Sequence, residues 1–539
     1  MRNAFRSPSA YPLTTLLHCA FWLAAATQAL AVAQTPVATT TPRFDILEFQ
    51  IEGNTVLNAM TIERAVMPQL GYGRDMASVE AARTALEAAY QKAGYLTVLV
   101  DVPEQLVDGG VVLLSVVEGK VDRLYVTGSR YHDQGWIRAA VPELAAGKVP
   151  DFNQVQQQLA SVSRDDRKVQ PVLRAGQLPG TVEVDLQVDD RLPLSGAVEV
   201  NNFHSRDTEP LRLLASLRYD NLFQREHSIS LTAVTTPNQP SESRVLLGNY
   251  LIPTSTQDSW AFSVVWSNSN VETLGGTQVL GNGTTIGLRR NWMLGSAGVH
   301  SFSLGIDYKN LKEKIPSSNG TISTPLQYAP LQLAYSGAWS ESSDTYLLNS
   351  GLTTAFGALL QRDVECVPGV VDDQFNCKRQ GASGSFAAWK FDGRWTRSFG
   401  WGSTGLRFGG QLASGPLVSP EQYALGGAET VRGYLDAAVL GDSAGLLSFE
   451  VRSANLAPAQ DPLLTSLTLL AFVDAGVAYL IEPGLGQTAS VSLIGTGLGL
   501  RFAFTPKVEG SVDLGWPQKT SAVLSDSGLH VYARLVGRF

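Results

Sequence analysis

Ser301-Phe302-Ser303-Leu304-Gly305-Ile306-Asp307-Tyr308-Lys309 is the stretch on which the fold turns. Phe302, Leu304, Ile306 and Tyr308 take every second place, and Ser301, Ser303, Asp307 and Lys309 fill the places between. A period of two puts successive side chains on opposite faces of a strand. The same alternation runs outward in both directions. Upstream, Leu213, Ala215, Leu217 and Tyr219 face away from Arg212, Ser216, Arg218 and Asp220. Downstream, Val508, Val512, Leu514 and Trp516 oppose Glu509, Ser511 and Asp513, and the chain closes with Leu529, Val531, Ala533, Leu535 and Phe539 against His530, Arg534 and Arg538. Strands that are apolar on one face and charged on the other, with aromatics near their ends, fit a transmembrane barrel with a wet lumen. Charges in a dry core would each need a partner. A secreted β-sandwich shows the same alternation, but strand number, the terminal aromatic Phe539 and an unbroken pattern over 193–539 favour the barrel.

Composition bounds the alternatives. Charged residues make up 17% of the 539, below the roughly 25% of soluble domains, and 51 Gly is a high count. Past residue 33 no run reaches the ~20 apolar residues of a spanning helix. The net charge of −8 and the absence of a basic run exclude a nucleic-acid partner.

The amino terminus reads as an export signal. Arg2 and Arg6 precede an apolar run over 13–30, then Ala31-Val32-Ala33 and Gln34, which predicts cleavage between Ala33 and Gln34. Residues 1–33 are the signal peptide, and Cys19 falls inside it. Two cysteines remain, Cys366 and Cys377, in a polar stretch, and an even number in an exported chain predicts a disulfide between them. No metal or cofactor site is expected.

Between 43 and 191 the pattern is mixed α/β. Residues 44–51 read as one strand ending at the turn Gly53-Asn54. A helix stops near Pro68, another starts at Ser78 as its cap, and β-branched runs follow at 96–102 and 111–117. The order then repeats: a strand at 121–126, a short helix over 136–144, a helix capped by Asp151, and strands at 169–173 and 182–188. The expected organisation is a signal peptide (1–33), a short linker without a plug helix (34–42), two modules (43–119 and 120–191) and a barrel (192–539).

Gly426-Gly427-Ala428-Glu429-Thr430-Val431-Arg432-Gly433-Tyr434 carries a more specific signal. Val431-Arg432-Gly433-Tyr434 resembles the sixth surface loop of two-partner secretion outer-membrane transporters, the TpsB-type hemolysin secretion/activation family within the outer-membrane insertase superfamily. The modules resemble that family's polypeptide-transport-associated (POTRA) domains, with Gly94-Tyr95, Glu118-Gly119 and a segment 173–181 in which Ala175 replaces a Pro. The resemblance implies α+β periplasmic modules followed by an all-β barrel of 16 antiparallel strands. It implies a loop folded back into the pore as a transport and gating element. Arg432 should meet Asp474 of Phe472-Val473-Asp474-Ala475-Gly476, and Glu450 should be the acidic residue on the preceding wall. A guanidinium sent into a pore needs a carboxylate, and its fork suits one better than Lys does. Phe539 would be the terminal residue read during barrel assembly.

The implied partners are a secreted exoprotein with an amino-terminal secretion domain, outer-membrane lipid and the barrel assembly machinery. The implied location is the outer membrane of a Gram-negative bacterium, with the modules in the periplasm. The function expected is export of one dedicated exoprotein (adhesin, cytolysin or contact-dependent toxin), the alternative being a barrel assembly or insertion factor. A passive porin would not need two modules. Gly441-Asp442-Ser443-Ala444-Gly445 spells a nucleophile elbow, but a strand-like run follows it where a helix is required. The histidines at 132, 204, 227, 300 and 530 are scattered and read as wet-face residues, leaving no catalytic set.

Overall fold

The computed structural model describes residues 42–539 except 165, 207, 270–271, 275–277, 281, 297, 318–319, 358–359, 361, 368, 520–523 and 525–527. The expected signal peptide, the Ala33/Gln34 cleavage site and nearly all of the 34–42 linker lie outside the described residues. The chain divides into two compact units, one ending at Glu118 and the other running from Gly119 to Phe539.

In the first unit two helices, Ala59–Val66 and Met76–Lys92, cover a three-stranded sheet. Its central strand Val111–Glu118 pairs in parallel with Glu48–Glu52 and antiparallel with Val98–Asp101. The stretch read as one strand over 44–51 is two. Phe44–Ile46 pairs instead with Gly71–Arg74, a strand not expected from sequence, and Leu47 turns to donate its N–H to Gly110 O at 2.7 Å. The second helix starts earlier than expected. Asp75 is its cap, and the Asp75 carboxylate accepts from Ser78 N at 3.1 Å, so Ser78 is already inside the first turn. Val79, Ala82, Leu86 and Tyr90 form its buried face.

The second unit begins with the same architecture. Thr181–Asp190 pairs in parallel with Lys120–Thr127 and antiparallel with Arg167–Ala175. The expected helix over 136–144 breaks in two, Gln134–Ala139 and the 3₁₀ turn Pro142–Leu144, because Pro142 has no N–H to continue it. His132 is no wet-face residue. Its buried ring lies 3.2 Å from Asp190 Oδ2 and 3.3 Å from Asp166 Oδ2.

From Leu194 the chain forms a closed antiparallel barrel. The long strand Gly298–Ser317 pairs in succession with Leu331–Glu341 and Gly320–Tyr328, two halves of one strand interrupted at Ala329-Pro330. Counted so, the barrel has sixteen strands. It closes where the last, His530–Arg538, pairs with the first, Leu194–Asn201. Among the described residues no helix is long and apolar enough to cross a membrane. The deciding stretch lies as its alternation requires: Leu304, Ile306 and Tyr308 face outward, while Asp307 and Lys309 are buried on the inner wall. At one end every turn except 454–465 spans four residues or fewer, and the other end carries the longest described connections, 356–385 and 414–442.

The second α/β region grips one of the short turns. Arg167 and Arg164 bond Glu226 at 2.8 and 3.2 Å, and Asn221 Nδ2 donates to Tyr131 O at 3.0 Å. Asn221, Phe223, Gln224 and Glu226 all have φ between 58° and 68°. For non-glycine residues that backbone is costly and persists only where its surroundings hold it.

Candidate functional site: the loop folded into the lumen

The connection 414–442 joins the eleventh barrel strand, Gly402–Ala413, to the twelfth, Ser443–Ser453. It does not lie on the outside. Tyr423–Leu425 and Val439–Gly441 pair as a small hairpin, and between them the chain descends along the inner wall. Tyr423, Leu425, Val431, Tyr434 and Val439 pack on Ala444, Leu446, Ala478 and Leu493 of that wall.

Arg432 sits at the deepest part of this docking and is 4% exposed. Its Nε and Nη2 donate to the two oxygens of Asp474 at 2.7 and 2.8 Å, and its backbone N–H donates to Asp474 Oδ2 at 3.1 Å. Nη1 lies 2.7 Å from Glu450 Oε1. The guanidinium carbon is 3.4 Å from the centre of the Phe472 ring, a cation–π contact. Asp474 is fully buried and accepts also from Ser448 Oγ at 2.6 Å. Charge balances across the cluster. Glu450 also bonds Arg452 at 2.6 Å, and Asp513, 3.9 Å from Arg432, bonds Arg501 at 2.5 Å. Three guanidinium groups thus face three carboxylates, which is what keeps so many charges tolerable inside a protein. Together with Arg394, Arg407 and Glu429, the three guanidinium groups and Glu450 line a cavity of about 200 Å³.

Each position of Phe472-x-Asp474-x-Gly476 has its own task, because alternate residues of one strand share the inner face. Phe472 supports the guanidinium, Asp474 grips its fork, and Gly476 leaves room for Val431. A Cβ built on Gly476 would lie 2.8 Å from Val431 Cγ2. Gly433 has φ 103°, and its N–H donates to Tyr532 Oη at 2.9 Å while Tyr532 Oη donates to Tyr434 O at 2.6 Å. Tyr434 Oη reaches Ile494 O at 3.0 Å and Lys519 O at 2.8 Å.

Val431, Arg432, Gly433, Tyr434, Glu450, Phe472, Asp474 and Gly476 are therefore one constellation. The other residues singled out from sequence lie elsewhere. Cys366 and Cys377 are joined in the connection 356–385, and Phe539 sits at the barrel seam, exchanging backbone hydrogen bonds with Gly196 at 3.0 and 3.3 Å. Sequence reading missed Ser448, Asp513 and Tyr532, and the wall glycines Gly495 and Gly515. A Cβ on Gly495 would lie 1.7 Å from Arg432 O, and one on Gly515 would lie 2.6 Å from Gly433 N. Gly495-x-Gly497-x-Gly499, glycine at three successive inward places of one strand, was the signal available. Ser443 Oγ accepts from Ala413 N at 3.1 Å at the head of a barrel strand, with no following helix. Among the described residues no group of three or more His, Cys, Asp and Glu is placed to hold a metal ion.

Comparison with known proteins places this geometry. The model of the haemolysin secretion/activation protein family ShlB/FhaC/HecB matches residues 180–502, and that of the ShlB-type POTRA domain matches 44–119. The outer membrane transporter CdiB of Dickeya dadantii (strain 3937) is 23% identical over 449 residues, 79% of this chain and 74% of that protein. Among solved structures, CdiB from Escherichia coli aligns with TM-score 0.61 and 18% identity over 95% of this chain and 93% of that one. BamA from Haemophilus ducreyi lacking POTRA domains 1–3 aligns with TM-score 0.57 and 12% identity over 92% and 100%.

Proposed function

The chain belongs to the haemolysin secretion/activation family ShlB/FhaC/HecB, outer-membrane β-barrel transporters with POTRA domains in the periplasm, and from that premise we propose that it exports one dedicated large exoprotein by two-partner secretion. The observation that carries the reading is the buried Arg432–Asp474–Glu450 cluster, which holds a surface loop inside the lumen through contacts that can be broken and remade. In this reading residues 1–33 are the signal cleaved between Ala33 and Gln34, and 43–119 and 120–191 are two capture modules. The cargo's amino-terminal secretion domain adds its strands to a module's sheet edge, Val98–Asp101 in the first unit being one such edge. The cargo then threads through the barrel of 192–539 as the loop bearing Arg432 shifts. The cargo is an adhesin, a cytolysin or a contact-dependent toxin.

A second reading, insertion of other barrels, draws on the shared fold with BamA. One experiment separates the two: deletion of the gene, with mass spectrometry of secreted and outer-membrane proteins. Loss of one large exoprotein from an intact outer membrane, restored by the wild-type chain and not by Arg432→Ala or Asp474→Ala, is expected. A normal secretome with depleted barrels would replace the transporter with the insertion factor.

A further inference from the structure

Gly441-Asp442-Ser443, the segment that spells a nucleophile elbow, has a different role in this fold. Asp442 follows the hairpin strand Val439–Gly441 and is fully buried. Its Oδ1 accepts from Leu417 N and Gln422 Nε2, both at 3.0 Å, and its Oδ2 accepts from Ile481 N at 2.7 Å. Arg379 closes the set: Nη2 donates to Oδ2 at 2.7 Å and Nη1 to Oδ1. The same guanidinium donates to Leu417 O at 2.7 Å and Ile481 O at 2.8 Å. Every one of these donors comes from a connection between strands and none from a barrel strand. Residue 379 belongs to the connection 356–385, residues 417 and 422 to 414–442, and 481 to the connection 480–489. One carboxylate therefore ties three connections at the same end of the barrel.

The neighbours reinforce that reading. Arg379 stands two residues after Cys377, whose disulfide to Cys366 closes a lobe containing the helix Gln374–Lys378. Phe375 of that helix packs with Tyr328, Phe386, Leu417 and Val418 in an apolar cluster. On the far side of the cluster, Glu421, buried on the descending arm of 414–442, bonds Lys309 Nζ at 2.5 Å and Tyr328 Oη at 2.6 Å. Gln411 Nε2 reaches both arms, donating to Glu421 O at 3.0 Å and Asp442 O at 2.8 Å.

We propose that Asp442 and Arg379 form an outer latch: positioning residues that hold the exit of the pore shut by tying the disulfide-closed lobe and the connection 480–489 to the root of the inward loop. It rests on the reading of the lumen as a conduit, and adds to it a second closure separate from Arg432. A buried ion pair suits a latch. Its attraction is largely offset by lost hydration, so parting into water returns much of what closing cost. Apolar packing alone has no such compensation.

The test is open probability of the purified full-length chain in planar bilayers, with heat-modifiable migration on gels as the check on barrel folding. Asp442→Asn, Arg379→Gln and the Cys366→Ser/Cys377→Ser pair should each raise open probability, by roughly a hundredfold for Asp442→Asn given the cost of stranding one buried charge. Arg379→Lys should fall between wild type and Arg379→Gln. Deletion of 418–441 is the reference for an opened pore. If that deletion opens the channel while Asp442→Asn and Arg379→Gln stay closed, the latch is wrong and the conduit stands. If the deletion stays closed even when combined with Arg379→Gln, the conduit reading fails and takes the latch with it. Loss of heat-modifiable folding in Asp442→Asn would make Asp442 a fold-keeping residue and overturn the latch.

Discussion

Arg432 is held on all sides at once: fork to Asp474, one nitrogen to Glu450, and its face to Phe472. A lysine there keeps the charge and loses the planar fork and the stacking face. Arg432→Lys should therefore dock the loop less well by about 2–3 kcal/mol, the worth of a charged hydrogen bond. Secretion should fall without vanishing, and the loop of the purified protein should be cleaved faster by trypsin than wild type. The main actors at this scale were legible because the chemistry is local. Val431 to Tyr434 is a contiguous string, and Phe472, Asp474 and Gly476 are spaced by the strand period. Tyr532 and Asp513 were not, since each stands in a strand whose inward places carry other polar residues, and only the path of the loop selects them. Asp442 was visible for the wrong chemistry. Its neighbours in sequence suggested a nucleophile, whereas its carboxylate is met by five donors of four residues, brought from three separate connections.

At the scale of elements, periodicity located strands and helices well and their partners poorly. Residues 44–51 look uniform in sequence but divide between two sheets, because a strand's pairing is decided by distant chain: Gly71–Arg74 for one half and Val111–Glu118 for the other. The break at Ala329-Pro330 is similar, a strand whose halves both pair with Gly298–Ser317. The turn over 221–226 makes the dependence energetic. Four non-glycine residues with positive φ persist there because the second α/β region holds them. Arg167→Met removes the closer of two cations from the nearly buried Glu226 and should destabilise this joint by about 3 kcal/mol, low in the usual range because Arg164 remains. A double-mutant cycle with Glu226→Gln, read by proteolysis of the second α/β region in the intact chain, should show coupling above about 0.5 kcal/mol. Strict additivity would mean that the pair does not couple the two elements.

Over the whole molecule, the closed barrel makes the loop's docking a two-state question. The wall is a finished surface with its own ladder of hydrogen bonds, and on the proposed reading the loop is an occupant that can be present or absent. Gly476, Gly495 and Gly515 differ from most glycines in one respect. The three atoms nearest to an added Cβ belong, in all three cases, to residues 425–433 of the loop and to nothing in the wall. A methyl group at any of them therefore raises the energy of the occupied state and leaves the vacant state unchanged. Gly495→Ala should accordingly increase the open fraction in bilayers while the heat-modifiability of the barrel stays that of wild type, and an equal loss of both would show that the wall itself needs the glycine. Because the perturbation is one-sided, its size can be read as a shift in a single equilibrium constant, tenfold for each 1.4 kcal/mol of overlap that cannot relax. Graded side chains on this stripe would then act as a calibrated scale, converting the resting position of the loop from a picture into a measured population.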